Sequence, residues 1–144
     1  MFYGEYEHTI DEKSRLTLPA RFRAELAAGV VLARGIDACV DVYPRATWES
    51  AVRARVAELD SFSREARQLK RHVFGGATEE EPDRQGRVLV PPALVRHAGL
   101  DREVVIAGVD DHLEIWDRAA WAEHLKTVEG SADDVAERLA EKRS

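Results

Sequence analysis

HTIDEKSRLTLPARF, from His8 to Phe22, reads as strand, polar turn, strand, and a proline opening a short helix. Asp11 and Ser14 supply turn chemistry, because their side chains hydrogen-bond nearby backbone. Arg15-Leu16-Thr17-Leu18 alternates with period two, which puts Leu16 and Leu18 inward and Arg15 and Thr17 on the opposite face. Pro19 suits a first helical turn, where its missing N–H costs nothing, and Gly29 is a natural stop after the stripe Phe22–Leu26. The same plan returns as EEPDRQGRVLVPPAL, from Glu80 to Leu94. There Asp83 answers Asp11, Arg87 answers Arg15, Val88 answers Leu16 and Pro91 answers Pro19.

The repeat continues further along. RGIDACVDVYPRATW (Arg34–Trp48) aligns with AGVDDHLEIWDRAAW (Ala107–Trp121), pairing Gly35 with Gly108, Asp37 with Asp110, Tyr43 with Trp116 and Trp48 with Trp121. Two blocks matching in the same order mean two copies of one supersecondary unit. Each copy predicts a strand before its Asp turn and one after it, a short helix, and two strands around a Gly-x-Asp turn. Between the copies, Arg45–Leu59 and the segment after Asp60-Ser61 keep helical periodicity, the second with Phe62, Ala66, Leu69 and Val73 on one face. The tail after Gly130-Ser131 offers only Val135 and Leu139 to bury, so a frayed helix or disorder is expected there.

An N-terminal MF.GEY.HTIDEK.RL.LPARFR, a following RG.D.C...YP...W and a second D...GR...P half make the chain similar to the MraZ family of bacterial transcriptional regulators. The resemblance runs to about Trp121. It implies an α+β fold in which two tandem swapped-hairpin AbrB-like modules form one pseudo-dimeric β-barrel core with peripheral helices. The expected modules are residues 1–76 and 77–128, followed by a charged tail, 129–144. The resemblance also implies double-stranded DNA as partner, with each Asp-x-x-x-Arg at a DNA-facing loop. It implies a ring-shaped homo-oligomer on short repeats ahead of the division and cell-wall gene cluster, and a cytoplasmic, nucleoid-associated location.

From the residues themselves, Asp11 and Asp83 brace their loops and preset Arg15 and Arg87. A guanidinium so held can reach phosphates, or guanine O6 and N7 through two bonds. An exposed ion pair that merely fastens a turn, worth about 0–1 kcal/mol, accounts for the same spacing. Lys13 stands beside Arg15, while Arg21 and Arg23 are candidate phosphate contacts. Being two apart on a helix, at most one of them shares the face of Arg15. The second copy has Ala93 and Val95 at those positions, so the first half is expected to supply most of the affinity.

Charge argues both ways. The 144-residue chain carries a net −6, against nucleic acid when taken alone. Residues 1–72 hold 12 Lys+Arg against 11 Asp+Glu, whereas 73–144 hold 9 against 16. The acidic half favours a rival class, an antitoxin-like protein-interaction module. Halves of about seventy residues are marginal alone and are expected to share a core.

Catalysis has no evident carrier. Asp11 and Asp83 invite comparison with a carboxylate dyad, but an Arg four residues on keeps each ionised. His8, His72, His97, His112 and His124 show no metal-ligand spacing, so neither a metal nor another cofactor is expected, and no small-molecule ligand is evident. Lone Cys39, in the alternating ACVDVY, excludes an intramolecular disulfide and reads as a small buried hydrophobe. No apolar run approaches a membrane span, and MFYGEYEHT lacks signal-peptide character.

Overall fold

A computed structural model describes residues 1–143. Each copy contributes four strands: β1 (Glu5–Thr9), β2 (Arg15–Thr17), β3 (Val30–Arg34) and β4 (Val40–Pro44), then β5 (Thr78–Glu80), β6 (Arg87–Leu89), β7 (Glu103–Gly108) and β8 (Leu113–Asp117). The class is α+β, with a six-stranded antiparallel sheet ordered β1-β7-β8-β4-β3-β5 and a separate two-stranded ribbon, β2-β6.

That order is unchanged when the copies are exchanged. β1 becomes β5, β3 becomes β7, β4 becomes β8, and the sequence of strands reads the same from the other end. The first strand of each copy therefore pairs with the third strand of the other, β1 on β7 and β5 on β3. The expected hairpin at Asp11 does not form as a paired ladder. Its turn closes, with Asp11 N–H donating to Arg15 O at 3.0 Å, but its arms part to join the other copy.

This interleaving answers the size problem. Leu16, Leu18, Phe22, Leu26, Leu32 and Val42 from the first copy meet Val88, Val90, Leu94, Ile106, Leu113 and Ile115 from the second in one cluster. Neither copy holds a complete core, so burial of either depends on the other.

Helices cover the outer faces. The double-helix segment breaks into α2 (Arg45–Thr47), a π-helical turn over Trp48–Arg53, and α3 (Ala54–Ala57), then α4 (Arg64–Gly75). Trp48 and Val73 from it close a second cluster on Val31, Ala33 and Tyr43. Phe62 departs from the expected stripe and is 94% exposed. The cause is local: Ser63 caps α4 by accepting from Ala66 N–H at 3.3 Å, and Asp60 Oδ1 holds Phe62 N–H at 2.9 Å, leaving Phe62 in the turn before the helix. The motif strand β2 leads into a 3-10 turn, Ala20–Phe22, and α1 (Arg23–Leu26), while β6 leads into α5 (Pro92–Ala98).

The tail also differs from expectation. A single helix, α6, runs Arg118–Arg143, through Gly130-Ser131 and across the 128/129 boundary. A helical glycine costs about 1 kcal/mol relative to Ala. Ser131 Oγ donates back to Thr127 O at 2.7 Å, and Ala132, Ala136 and Ala140 favour the helix. Val135 and Leu139 remain exposed. Among the described residues no helix is long and apolar enough to cross a membrane.

Candidate nucleic-acid interface

The two Asp-x-x-x-Arg loops are built alike. Asp11 Oδ1 accepts from Lys13 N–H and Arg15 N–H, both at 2.9 Å, and its Oδ2 accepts from Arg15 Nε at 2.8 Å. Asp83 repeats this on Gln85 N–H, Arg87 N–H and Arg87 Nε at 2.9, 2.9 and 2.8 Å. Backbone donation from Arg15 and Arg87 holds the two carboxyls below the usual carboxylate range, and the guanidiniums add to it. Each Asp thus stays ionised and binds only the Nε edge of its Arg. Among the described residues nothing accepts from the two terminal nitrogens of Arg15 or Arg87, so a two-pronged donor edge faces solvent on each loop.

The β2-β6 ribbon places both edges together. Its register sets Leu16 against Val88 on the inner face, 0% and 3% exposed, and Arg15 against Leu89 and Thr17 against Arg87 on the outer. Leu18 N–H to Gly86 O at 2.9 Å and Val90 N–H to Ser14 O at 2.8 Å close the ribbon's two ends on the two loops. The two arginines are diagonal neighbours on one face, with Cα atoms on the order of 8–9 Å apart from strand rise and spacing. A two-stranded ribbon packed on the core by its inner face, with paired guanidiniums on the outer, has the width that a duplex major groove admits.

A family model described as "MraZ protein, putative antitoxin-like" matches the chain twice, over residues 1–72 and 73–143. The chain belongs to the MraZ family. Relatives named "Transcriptional regulator MraZ" include that of Roseiflexus castenholzii, 48% identical over 143 residues and 99% of each chain. That of Moorella thermoacetica is 43% identical over 141 residues, 98% of each. That of Thermomicrobium roseum is 42% identical over 140 residues, 97% of this chain and 98% of its own.

Within this MraZ-family chain the other candidate cations separate. Lys13 is exposed on the first loop. Arg21 is turned away from it: its guanidinium lies 4.8 Å from the Tyr3 ring centroid and donates to Tyr3 Oη at 2.9 Å and Tyr6 Oη at 3.4 Å. Those partners sit toward the start of β1, whereas the Asp11 loop follows its end. Arg21 caps the ring cluster of Tyr3, Tyr6 and Phe22.

Arg23 crosses to the other copy. A side chain added at Gly86 would meet Arg23 Nε at 2.6 Å. Arg23, Pro82, Asp83, Arg84 and Gly86 line one cavity of about 220 Å³. By the same exchange Val95, its counterpart, lies at the first loop with Asp11, Glu12, Ser14, Asp101 and Arg102. The comparison of Arg23 with Val95 therefore assigns the extra cation to the second loop, opposite to what position in sequence suggests. Arg84 and Leu89 join the surface without having been singled out from sequence: Arg84 stands on the Asp83 turn itself, and the ribbon register sets Leu89 opposite Arg15.

Proposed function

We propose that the chain is a sequence-specific, double-stranded DNA-binding transcriptional regulator that reads its site with the β2-β6 ribbon. Arg15 and Arg87 approach base edges, Lys13, Arg23 and Arg84 approach phosphates, and Asp11 and Asp83 hold the reading arginines in place. Arg21 contributes by fixing the start of β1, and through its charge at most. The observation that carries this reading is the pair of braced guanidiniums, each with its outer edge free, on one face of a ribbon made from both copies. A structural ion pair has no need to leave that edge unpartnered twice.

In this reading the copies, 1–76 and 77–128, are swapped-hairpin AbrB-like modules completing one pseudo-dimeric barrel, with 129–144 as an appended helical segment. The strand exchange supports that architecture. One ribbon carries few base contacts and binds weakly, so a homo-oligomeric ring over repeats spaced by a helical turn gains affinity through effective concentration. The repeats ahead of the division and cell-wall genes, implied by the family resemblance, are the site to test. Such a regulator works in the cytoplasm at the nucleoid, and the proposal assigns it no enzymatic activity.

A salt titration on the protein's own upstream DNA against scrambled DNA tests this. Sequence-dependent, salt-sensitive binding that Arg15→Ala removes supports the reading; no binding to either DNA at low salt overturns it. A second reading, an antitoxin-like interaction module, draws on the −7 balance of residues 73–144. It also draws on Val128, Val135 and Leu139, which are exposed along α6. Deleting Asp133–Ser144 should leave DNA affinity intact if the ribbon is the reader, and should cost a protein partner if the tail is the docking element.

A further inference from the structure

The centre of the six-stranded sheet holds a group of side chains that the DNA reading does not use. Asp41 of β4 and Glu114 of β8 stand directly opposite each other in the ladder. Like charges at such positions are destabilising, and these are poorly hydrated, at 17% and 20% side-chain exposure. His112 Nε2 points between them, 3.7 Å from Asp41 Oδ1 and 3.5 Å from Glu114 Oε2. Cys39, 1% exposed, sets its Sγ 3.7 Å from Asp41 Oδ1. The sulfur and one oxygen of each carboxylate lie within 4.8 Å of one another.

The four groups are two equivalent pairs. In the second repeat block Cys39 aligns with His112 and Asp41 with Glu114. Each copy thus gives a donor, a spacer and a carboxylate, and the β4-β8 pairing brings the two triplets face to face. Spacing along the chain could not reveal this, since the pairs lie 73 residues apart.

We propose that Cys39, Asp41, His112 and Glu114 form a binding site for a divalent transition metal of the zinc class, two ligands from each copy. A thiolate, an imidazole and two carboxylates are the donor types zinc accepts, whereas magnesium and calcium require oxygen alone. Tetrahedral bonds of zinc to these atoms space neighbouring ligands about 3.3–3.8 Å apart; the His112–Asp41, His112–Glu114 and Cys39–Asp41 distances fall there, and the remaining pairs must draw together on binding. The surroundings are those of a ligand set. His112 Nδ1 donates to Asp111 Oδ1 at 2.6 Å, fixing the tautomer that leaves Nε2 free to ligate, and its ring stacks on Tyr43 at 4.4 Å. Trp116 Nε1 holds Glu114 Oε1 at 3.1 Å. Gly35 covers the sulfur so closely that a Cβ there would lie 2.6 Å from Cys39 Sγ. Asp41 also lines a cavity of about 230 Å³ beneath the helical cover, a route for entry.

Without a metal the group is held by protons. Burial pushes Asp41 up to about 6 and, with nearby carboxylates, drives the Cys39 thiol well above its ordinary value. Burial works against His112 carrying charge, yet hydrogen bonds to Glu114 and Asp111 outweigh it and bring His112 up to about 9. A bound divalent cation replaces those protons and fastens the first copy to the second at the middle of the sheet.

The test uses the full chain, stripped with a chelator and titrated with Co2+ and then Zn2+. The expected result is one Co2+ per chain with a thiolate-to-cobalt charge-transfer band, displaced by Zn2+, and a melting temperature that rises with Zn2+. Cys39→Ser should remove the band and weaken binding at least ten-fold; His112→Gln should weaken binding by a similar factor. Absence of binding at sub-millimolar metal overturns the proposal, as does bound Co2+ without a thiolate band in the unaltered chain. The wild-type spectrum decides even if a variant fails to fold. DNA binding plays no part in the readout, so the two proposals fail separately.

Discussion

The first and second reading loops agree within 0.1 Å in every brace hydrogen bond, yet they stand in different fields. In the first, Asp11 and Glu12 cancel Lys13 and Arg15, and Asp101 and Arg102 face it. In the second, Asp83 meets Arg84 and Arg87, and Arg23 arrives from the other copy. Counted over the turns alone, 83–87 with Arg23 is more cationic than 11–15, although Glu80 and Glu81 stand just before the second turn. Charge summed along a chain describes a tract of sequence, whereas a phosphate meets whatever the fold has gathered.

The largest effect expected from this comparison is on the arginines themselves. Arg15→Ala and Arg87→Ala should each cost about 1–3 kcal/mol of sequence-specific binding per site, the worth of a two-pronged base contact. Their melting temperatures should stay close to wild type, because each removes an exposed ion pair worth at most about 1 kcal/mol. Competition titrations against scrambled DNA measure the first and thermal melts the second. With Arg84 and Arg23 beside it, Arg87 should show a loss at least as large as that of Arg15. A much smaller one restores the ordering that the sequence alone suggests.

Next in size is the crossing cation. Arg23→Ala should lower affinity for all duplexes alike and reduce the slope of log K against log salt by about 0.9, one phosphate contact. Val95→Arg should raise that slope by a similar amount through the first loop. If Arg23→Ala leaves the slope unchanged while Arg21→Ala reduces it, the assignment of these two residues is reversed.

Most of the strand plan was legible because duplication and period-two alternation are local signals. Leu16 and Leu18 are buried as their alternation requires, and the Asp braces follow from spacing by four. What stayed hidden is non-local. No residue in HTIDEKSRLTLPARF states by itself that β1 will leave β2 for β7; the family resemblance implies swapped hairpins, but not that the exchange carries Arg23 to the second loop. Phe62 fits the helical period yet lies before α4, because the Ser63 cap, not hydrophobic period, sets where the helix begins. The tail kept its helix because alanine propensity outweighs one glycine.

A smaller difference lies in the backbone. Each loop needs one residue in the left-handed region, Ser14 at φ 59° and Gly86 at φ 76°. Ser14→Gly should relieve strain and stabilise the fold by about 1 kcal/mol at most. Gly86→Ser should destabilise by a comparable amount and displace Arg23, whose Nε occupies the space a Cβ needs. Chemical denaturation of the pair tests the asymmetry; equal and opposite shifts without a change in salt slope would separate strain from the Arg23 contact.

The smallest effect concerns the braces in acid, and it decides whether the loops differ in anything but field. Asp11 and Asp83 both have folded pKa values below the ordinary carboxylate value, for the same causes in the same order. A depressed carboxylate contributes its full stabilisation above the unfolded pKa, about 4, and loses it as pH falls through the lower folded value. The arginines should therefore stay pinned throughout neutral and mildly acidic pH and be released together below that range. The Nε–H resonances of Arg15 and Arg87, followed by NMR, should move in parallel. Asp11→Asn and Asp83→Asn should mimic the acid form at neutral pH, since an amide can still accept from the turn backbone but its NH2 cannot accept from Nε. If one Nε–H moves at higher pH than the other, one brace is weaker, and unequal loss on Arg15→Ala and Arg87→Ala then reflects positioning as well as charge.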